Sequence, residues 1–205
     1  MYKIYEQIAI LSTLTLTSSI LFTVLIIPLV NKLGLRYGII DKPNPRKIHK
    51  GNIVRLGGVG IFIGFALGTI LCNIFLNKAE YFDITWIPNF HIIFGGLGFL
   101  ILGLIDDVKT LSPYIRLGGQ IIISSILFAN GLKVQAFDLS WINSSFQPIL
   151  LNNFFSFAFV NLWITGLTNA INWLDGLDGL ASGLSIITAS GLAYIFIFYE
   201  KWDLV

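Results

Sequence analysis

Apolar residues run in six long stretches, near 8–30, 53–76, 91–105, 119–136, 154–171 and 180–199. Each reaches or approaches the roughly 20 residues that cross a bilayer core as a helix. The third is short and the fourth ends gradually. The pattern predicts an all-α, polytopic membrane protein with about six transmembrane helices. The alternation in "KVQAFDL" adds a short outer-side β-hairpin near 133–150. The first run, "IAILSTLTLTSSILFTVLIIPLV", is too long for a signal-peptide core, and no A-x-A-like site follows it, so it reads as a retained span.

Composition agrees. Hydrophobic residues make up 55% of the 205 positions and charged residues 12%, with a mean hydropathy of +0.80. Soluble domains carry about 25% charged residues. The single cysteine, Cys72, excludes an intrachain disulfide. The net charge of +2 matters less than its distribution. The first, third and fifth connections carry nine Lys and Arg between them: Lys32, Arg36, Lys42, Arg46, Lys47, Lys50, Arg55, Lys109 and Arg116. The other side carries four: Lys3, Lys78, Lys133 and Lys201. The positive-inside rule puts the odd connections in the cytoplasm and the N-terminus outside.

The unusual polar stretches all fall on that cytoplasmic side. Asp106 and Asp107 are adjacent carboxylates at the end of an apolar run. A hard divalent cation such as Mg²⁺, binding through carboxylates and phosphate oxygens, would offset their repulsion. The structural alternative is that one of them caps a helix starting near Val108. "NAINWLDGLDGLASG" holds Asn169, Asn172, Asp175 and Asp178 at three-residue spacing, on roughly one helix face. Gly176 and Gly179 remove bulk beside the aspartates. Carboxylates and amides at membrane depth point to function, although a plain Asp-Gly turn is the simpler alternative. "PNPRKIHK" offers Arg46, Lys47 and His49 to a polyanion, or, more simply, to anionic lipid. Gly60, Gly64 and Gly68 at four-residue spacing read as a close-packing helix face, not a dinucleotide loop. Together these features suit phosphoryl transfer between a soluble donor and a lipid acceptor, driven by positioning and charge neutralisation.

The same residues resemble the polyprenyl-phosphate N-acetylhexosamine-1-phosphate transferases. "DKPNPRKIHKGNIVRLGG" is similar to the family's D-x-P-x-x-R-K-x-H…P-R-x-G-G, with Val54 in place of the usual proline. "DDVKTLSPYIRLGGQ" resembles D-D-x-x-x-L-x-P…Q, and "NAINWLDGLDGLASG" resembles N-x-x-N-x-x-D-G-x-D-G-L-A-x-G. The R-K-x-H form looks more like the UDP-GlcNAc branch than the MurNAc-pentapeptide branch. Members usually continue into further spans with an F-x-G-D-x-G-S motif and a His-rich loop. The expectation is therefore a single membrane-embedded transferase domain over 1–205, C-terminally incomplete relative to the family.

The resemblance implies roles position by position. Asp106 and Asp107 would be the catalytic and metal-binding pair for Mg²⁺ (or Mn²⁺), one of them deprotonating the lipid phosphate. Asn172, Asp175, Gly176 and Asp178 would bind the donor, supported by Asn169. Lys47 and His49 would lie near the donor, with Arg46 and Arg55 beside them. The implied reaction moves a sugar 1-phosphate from a UDP-N-acetylhexosamine, most readily UDP-GlcNAc, to polyprenyl phosphate and releases UMP. Phospho-MurNAc-pentapeptide transfer is the alternative within the family, and a transporter is the alternative outside it. A CDP-alcohol phosphotransferase would require an arginine and two further acids after Gly179, and none occurs there before Glu200. The expected setting is the bacterial cytoplasmic (inner) membrane. The bilayer is a partner, a homodimer is allowed, and nucleic acid has no part.

Overall fold

The structure, a computed structural model, describes residues 2–41, 53–78, 90–138, 145, 147–175 and 179–199. Among them are six helices: α1 (Tyr2–Tyr37), α2 (Gly57–Lys78), α3 (Phe90–Lys109), α4 (Pro113–Ala129), α5 (Asn153–Leu174) and α6 (Leu180–Phe198). Two antiparallel two-stranded ribbons accompany them. The first joins β1 (Ile40–Asp41) to β2 (Ile53–Val54), and the second joins β3 (Ala136–Phe137) to β4 (Ile149–Leu150). The second is the expected hairpin.

The distribution of side chains is that of a protein dissolved in lipid. Among the described residues the buried hydrophobic side chains are Val30, Cys72 and Val160. The buried polar ones are Ser18, Thr69, Gln120, Ser124, Ser156, Asn161 and Thr165. Large apolar side chains such as Leu25, Leu162 and Ile187 face outward, at 62%, 73% and 72% exposure. Water would oppose that arrangement, whereas hydrocarbon favours it. By length and composition Ala9–Tyr37, Asn153–Leu174 and Leu180–Phe198 can each cross a membrane, and Gly57–Cys72 and Pro113–Ala129 are shorter apolar helices.

α1 tolerates its many hydroxyls because they bond within the helix. Thr13, Thr15, Thr17, Ser18 and Thr23 donate to carbonyls four residues earlier at 2.6–2.8 Å. None then presents an unpaired donor to lipid.

Close approaches at glycine fix the helix registers. Gly60 meets Ile27, Gly64 meets Thr23 and Gly68 meets Ser19, so α1 and α2 run antiparallel. A Cβ at Gly64 or Gly68 would fall on the partner hydroxyl, 2.8 Å from the backbone nitrogen of Thr23 or Ser19. The glycine stripe is thus the packing face expected of it. Gly58 lies on Leu100 and Gly96 on Phe62, which sets α2 antiparallel to α3. Gly98 on Ile123 and Gly119 on Leu102 do the same for α3 and α4.

The fourth apolar run differs from expectation. Its helix covers Pro113–Ala129, not 119–136. Ser112 caps the start, its Oγ accepting from the Ile115 N–H at 3.4 Å, with proline next in line. Asn130 and Gly131, the latter at φ +104°, end it. The third connection therefore shrinks to residues 110–112.

Candidate active site

The acidic pair lies in the last turn of α3 and not at a helix start near Val108, so the capping alternative does not hold in that form. The chain turns sharply after Lys109. Thr110, a β-branched residue, sits in the left-handed region at φ 47°, a conformation that needs local support. Asp106 supplies it. Its carbonyl accepts from the Thr110 N–H at 2.7 Å, and its Oδ1 accepts from the Leu111 N–H at 2.9 Å. Its Oδ2 takes a charge-assisted bond from Arg116 in the first turns of α4, at 3.3 Å. Asp106 therefore ties α3 to α4, and its neighbour Asp107 is exposed.

The first connection reaches the same place. The β1–β2 ribbon, unforeseen in the sequence, turns the chain back toward α2. It is reinforced by the Arg55 N–H donating to Ile39 O at 3.2 Å. Arg55 Nη1 then donates to the backbone carbonyl of Asp107 at 2.9 Å. Two guanidinium groups thus stand against the two-aspartate turn.

The fifth connection joins through α4 and α5. Arg116, Gln120 and Ser124 are spaced one turn apart on α4; Arg116 reaches back to α3, while Gln120 and Ser124 meet α5. Gln120 and Asn169 exchange amide bonds: Asn169 Nδ2 donates to Gln120 Oε1 at 2.7 Å and Gln120 Nε2 donates to Asn169 Oδ1 at 3.5 Å. Deeper, Ser124 and Ser125 donate to Asn161 Oδ1 at 2.5 and 3.2 Å. These pairs place the end of α5 beside the start of α4. Asn172 and Asp175 there are exposed.

α5 stops at Leu174, and Asp175 is its C-cap with ψ 44°. The helical face expected from Asn169 through Asp178 is thus interrupted at Asp175. Gly179, at φ 80°, opens α6. Arg46, Lys47, His49, Gly176 and Asp178 lie outside the described residues.

The structure thus brings Arg55, Asp106, Asp107 and Asn169 to one end of the bundle, with Asn172 and Asp175 close behind on α5. Sequence reasoning assigned no role to Arg116, Gln120, Ser124 or Asn161. Their signal was polar residues recurring every fourth position in two otherwise apolar runs. No group of three His, Cys, Asp or Glu that could hold a metal occurs among the described residues. Mg²⁺ does not require one, since it commonly binds through one or two carboxylates together with substrate phosphates and waters. An adjacent carboxylate pair, one member pre-oriented by an arginine, fits that pattern.

The profile of glycosyl transferase family 4 matches residues 89–205. The chain is 34% identical over 174 residues to the probable undecaprenyl-phosphate N-acetylglucosaminyl 1-phosphate transferase of Bacillus subtilis, covering 84% of this chain and 45% of that protein. It is 31% identical over 161 residues to the decaprenyl-phosphate N-acetylglucosaminephosphotransferase of Mycolicibacterium smegmatis (78% of this chain, 39% of that protein). It is 32% identical over 210 residues to the phospho-N-acetylmuramoyl-pentapeptide-transferase of Lactobacillus gasseri (95% of this chain, 62% of that protein). The chain thus spans about half the length of the curated relatives it matches, and no solved structure matches it. The match covers α3 through α6, including the two-aspartate turn and the Asn-rich end of α5, and by it the chain belongs to glycosyl transferase family 4.

Proposed function

We propose that the protein of which this chain forms part transfers N-acetylglucosamine 1-phosphate from UDP-GlcNAc to a polyprenyl phosphate and releases UMP. The observation that carries the reading is the meeting, at one end of a lipid-facing bundle, of Arg55 and Arg116 with Asp106 and Asp107. Family membership supports it, as do relatives named as transferases acting on polyprenyl phosphates.

In the reaction a phosphate oxygen of the polyprenyl phosphate forms a bond to the β-phosphorus of the UDP-sugar. The bond from that phosphorus to the bridging oxygen breaks, and UMP departs with the electron pair. Asp106 and Asp107 would hold Mg²⁺, which when bound neutralises diphosphate charge. Arg55 and Arg116 keep positive charge beside the carboxylates. Asn172 and Asp175 stand on the side of the site nearest α5, where the sugar nucleotide would lie. Positioning and charge neutralisation supply most of the rate in such transfers. The cytoplasmic side of the inner membrane, where UDP-sugars are made, is the orientation that fits the Lys and Arg distribution.

The test is UMP release by the enzyme expressed from the complete gene, with UDP-GlcNAc, polyprenyl phosphate and Mg²⁺. The reading expects release that needs all three and falls by about 10²- to 10³-fold in Asp107→Asn, as for the loss of a group that stabilises transition-state charge. A folded enzyme that releases no UMP from any UDP-N-acetylhexosamine overturns the reading. Release from UDP-MurNAc-pentapeptide alone would shift it to the other branch.

A further inference from the structure

We propose that Gln120 is a positioning residue for this transfer. On this view, its amide sets the rotation of the last turns of α5 and so the placement of Asn172 and Asp175. The inference rests on the proposed function.

Gln120 is only 3% exposed, on a helix whose outer face is apolar. Burying an amide in such surroundings is costly unless it is paired. It pairs with one residue, Asn169, one turn of α4 beyond the Arg116 that holds Asp106.

Proton counting at Asn169 sharpens its role. Its side-chain nitrogen has two N–H groups. One goes to Gln120 Oε1 at 2.7 Å and the other to Thr165 O in its own helix at 2.8 Å. Both donors are spent. Asn169 therefore has no N–H to spare for a phosphate oxygen in this arrangement and is placed to support the site. Asn172, three residues on, has an exposed side chain.

α4 then acts as a strut with two attachments one turn apart. Arg116 holds Asp106, and Gln120 holds Asn169. The acidic turn and the Asn/Asp end of α5 are fixed to the same short piece of helix.

The experiment measures kcat and KM for UDP-GlcNAc, per folded molecule in lipid nanodiscs, together with the thermal unfolding midpoint. The enzyme from the complete gene is compared with Gln120→Leu, Gln120→Asn, Asn169→Gln and the double swap Gln120→Asn/Asn169→Gln. Gln120→Leu is expected to lower kcat/KM by on the order of 10- to 100-fold, the scale of a small misplacement of reacting groups. The swap restores the combined length of the two amides and is expected to outperform the product of its single changes by on the order of tenfold. Gln120→Asn keeps an amide in the seam and serves if Gln120→Leu does not fold. If kcat and KM per folded molecule stay at wild-type values in both Gln120 variants and only the unfolding midpoint moves, Gln120 is helix glue and the proposal is overturned. A swap no better than the product of its singles also overturns it. A wild-type enzyme without UMP release overturns the proposed function itself, and that outcome is distinguishable because it appears before any substitution.

Discussion

The α1–α2 pair and the α4–α5 pair are both antiparallel helix pairs in lipid, yet they are held together by opposite means. α1 and α2 meet through absence of side chain. Gly64 and Gly68 let the α2 backbone rest on Thr23 and Ser19, and the Thr23 hydroxyl bonds within α1. α4 and α5 meet through polar side chains that cross the interface, with Gln120 on Asn169 and Ser124 on Asn161. Lipid tails are as apolar as leucine, so neither pair can rely on hydrophobic burial. Close van der Waals packing serves the first pair. A directional hydrogen-bonded seam, which also fixes rotation, serves the pair that carries the site.

The comparison breaks most visibly at Gly64. Gly64→Val drives a side chain into Thr23 and should cost about 1–3 kcal/mol, the usual range for overpacking. The reading is a lower thermal unfolding midpoint in detergent or nanodiscs. Gly166 in α5 has open space around it, so Gly166→Ala should leave the midpoint unchanged or raise it slightly. Equal losses at the two positions would mean that the α1–α2 face is not specially close-packed.

Within the polar seam the effects should be smaller. Ser124→Ala removes a bond to the buried amide oxygen of Asn161 and should cost about 0.6 kcal/mol and at most about 1.7, the average and the maximum for hydrogen bonds between membrane helices. Ser156 is also buried, but its Oγ has no partner in the structure. Ser156→Ala should therefore be neutral or stabilising, by up to about 1 kcal/mol. Equal costs for the two serines would contradict the seam as drawn.

The sequence carried the six apolar runs, the hairpin near 133–150 and the glycine face well, because each depends on spacing within a short stretch. It misplaced α4 by about half a dozen residues. Hydropathy sees Arg116 as a loop residue, whereas a carboxylate from the preceding helix neutralises it and lets the helix begin at Pro113. The aspartates at 106 and 107 and the Asn-rich stretch stood out as polar groups among apolar runs. Their division of labour did not, because it depends on where the Leu111 N–H and the Arg116 guanidinium lie in space. Gln120 stood inside a recognisable motif, but nothing in one strand of sequence says which residue an amide will face. The β1–β2 ribbon was invisible for a related reason: two residues per strand leave no periodicity to read.

The central claim is that the first, third and fifth connections meet at one cytoplasmic end. Cysteine accessibility tests it most directly. In a Cys72→Ala background, single cysteines at Lys50, Thr110 and Leu177 are exposed to a membrane-impermeant maleimide, first in intact cells and then in inside-out vesicles. The account predicts labelling of all three only in the vesicles, with a cysteine at Lys133 labelled only in intact cells. Labelling of any two of Lys50, Thr110 and Leu177 from opposite sides would contradict it.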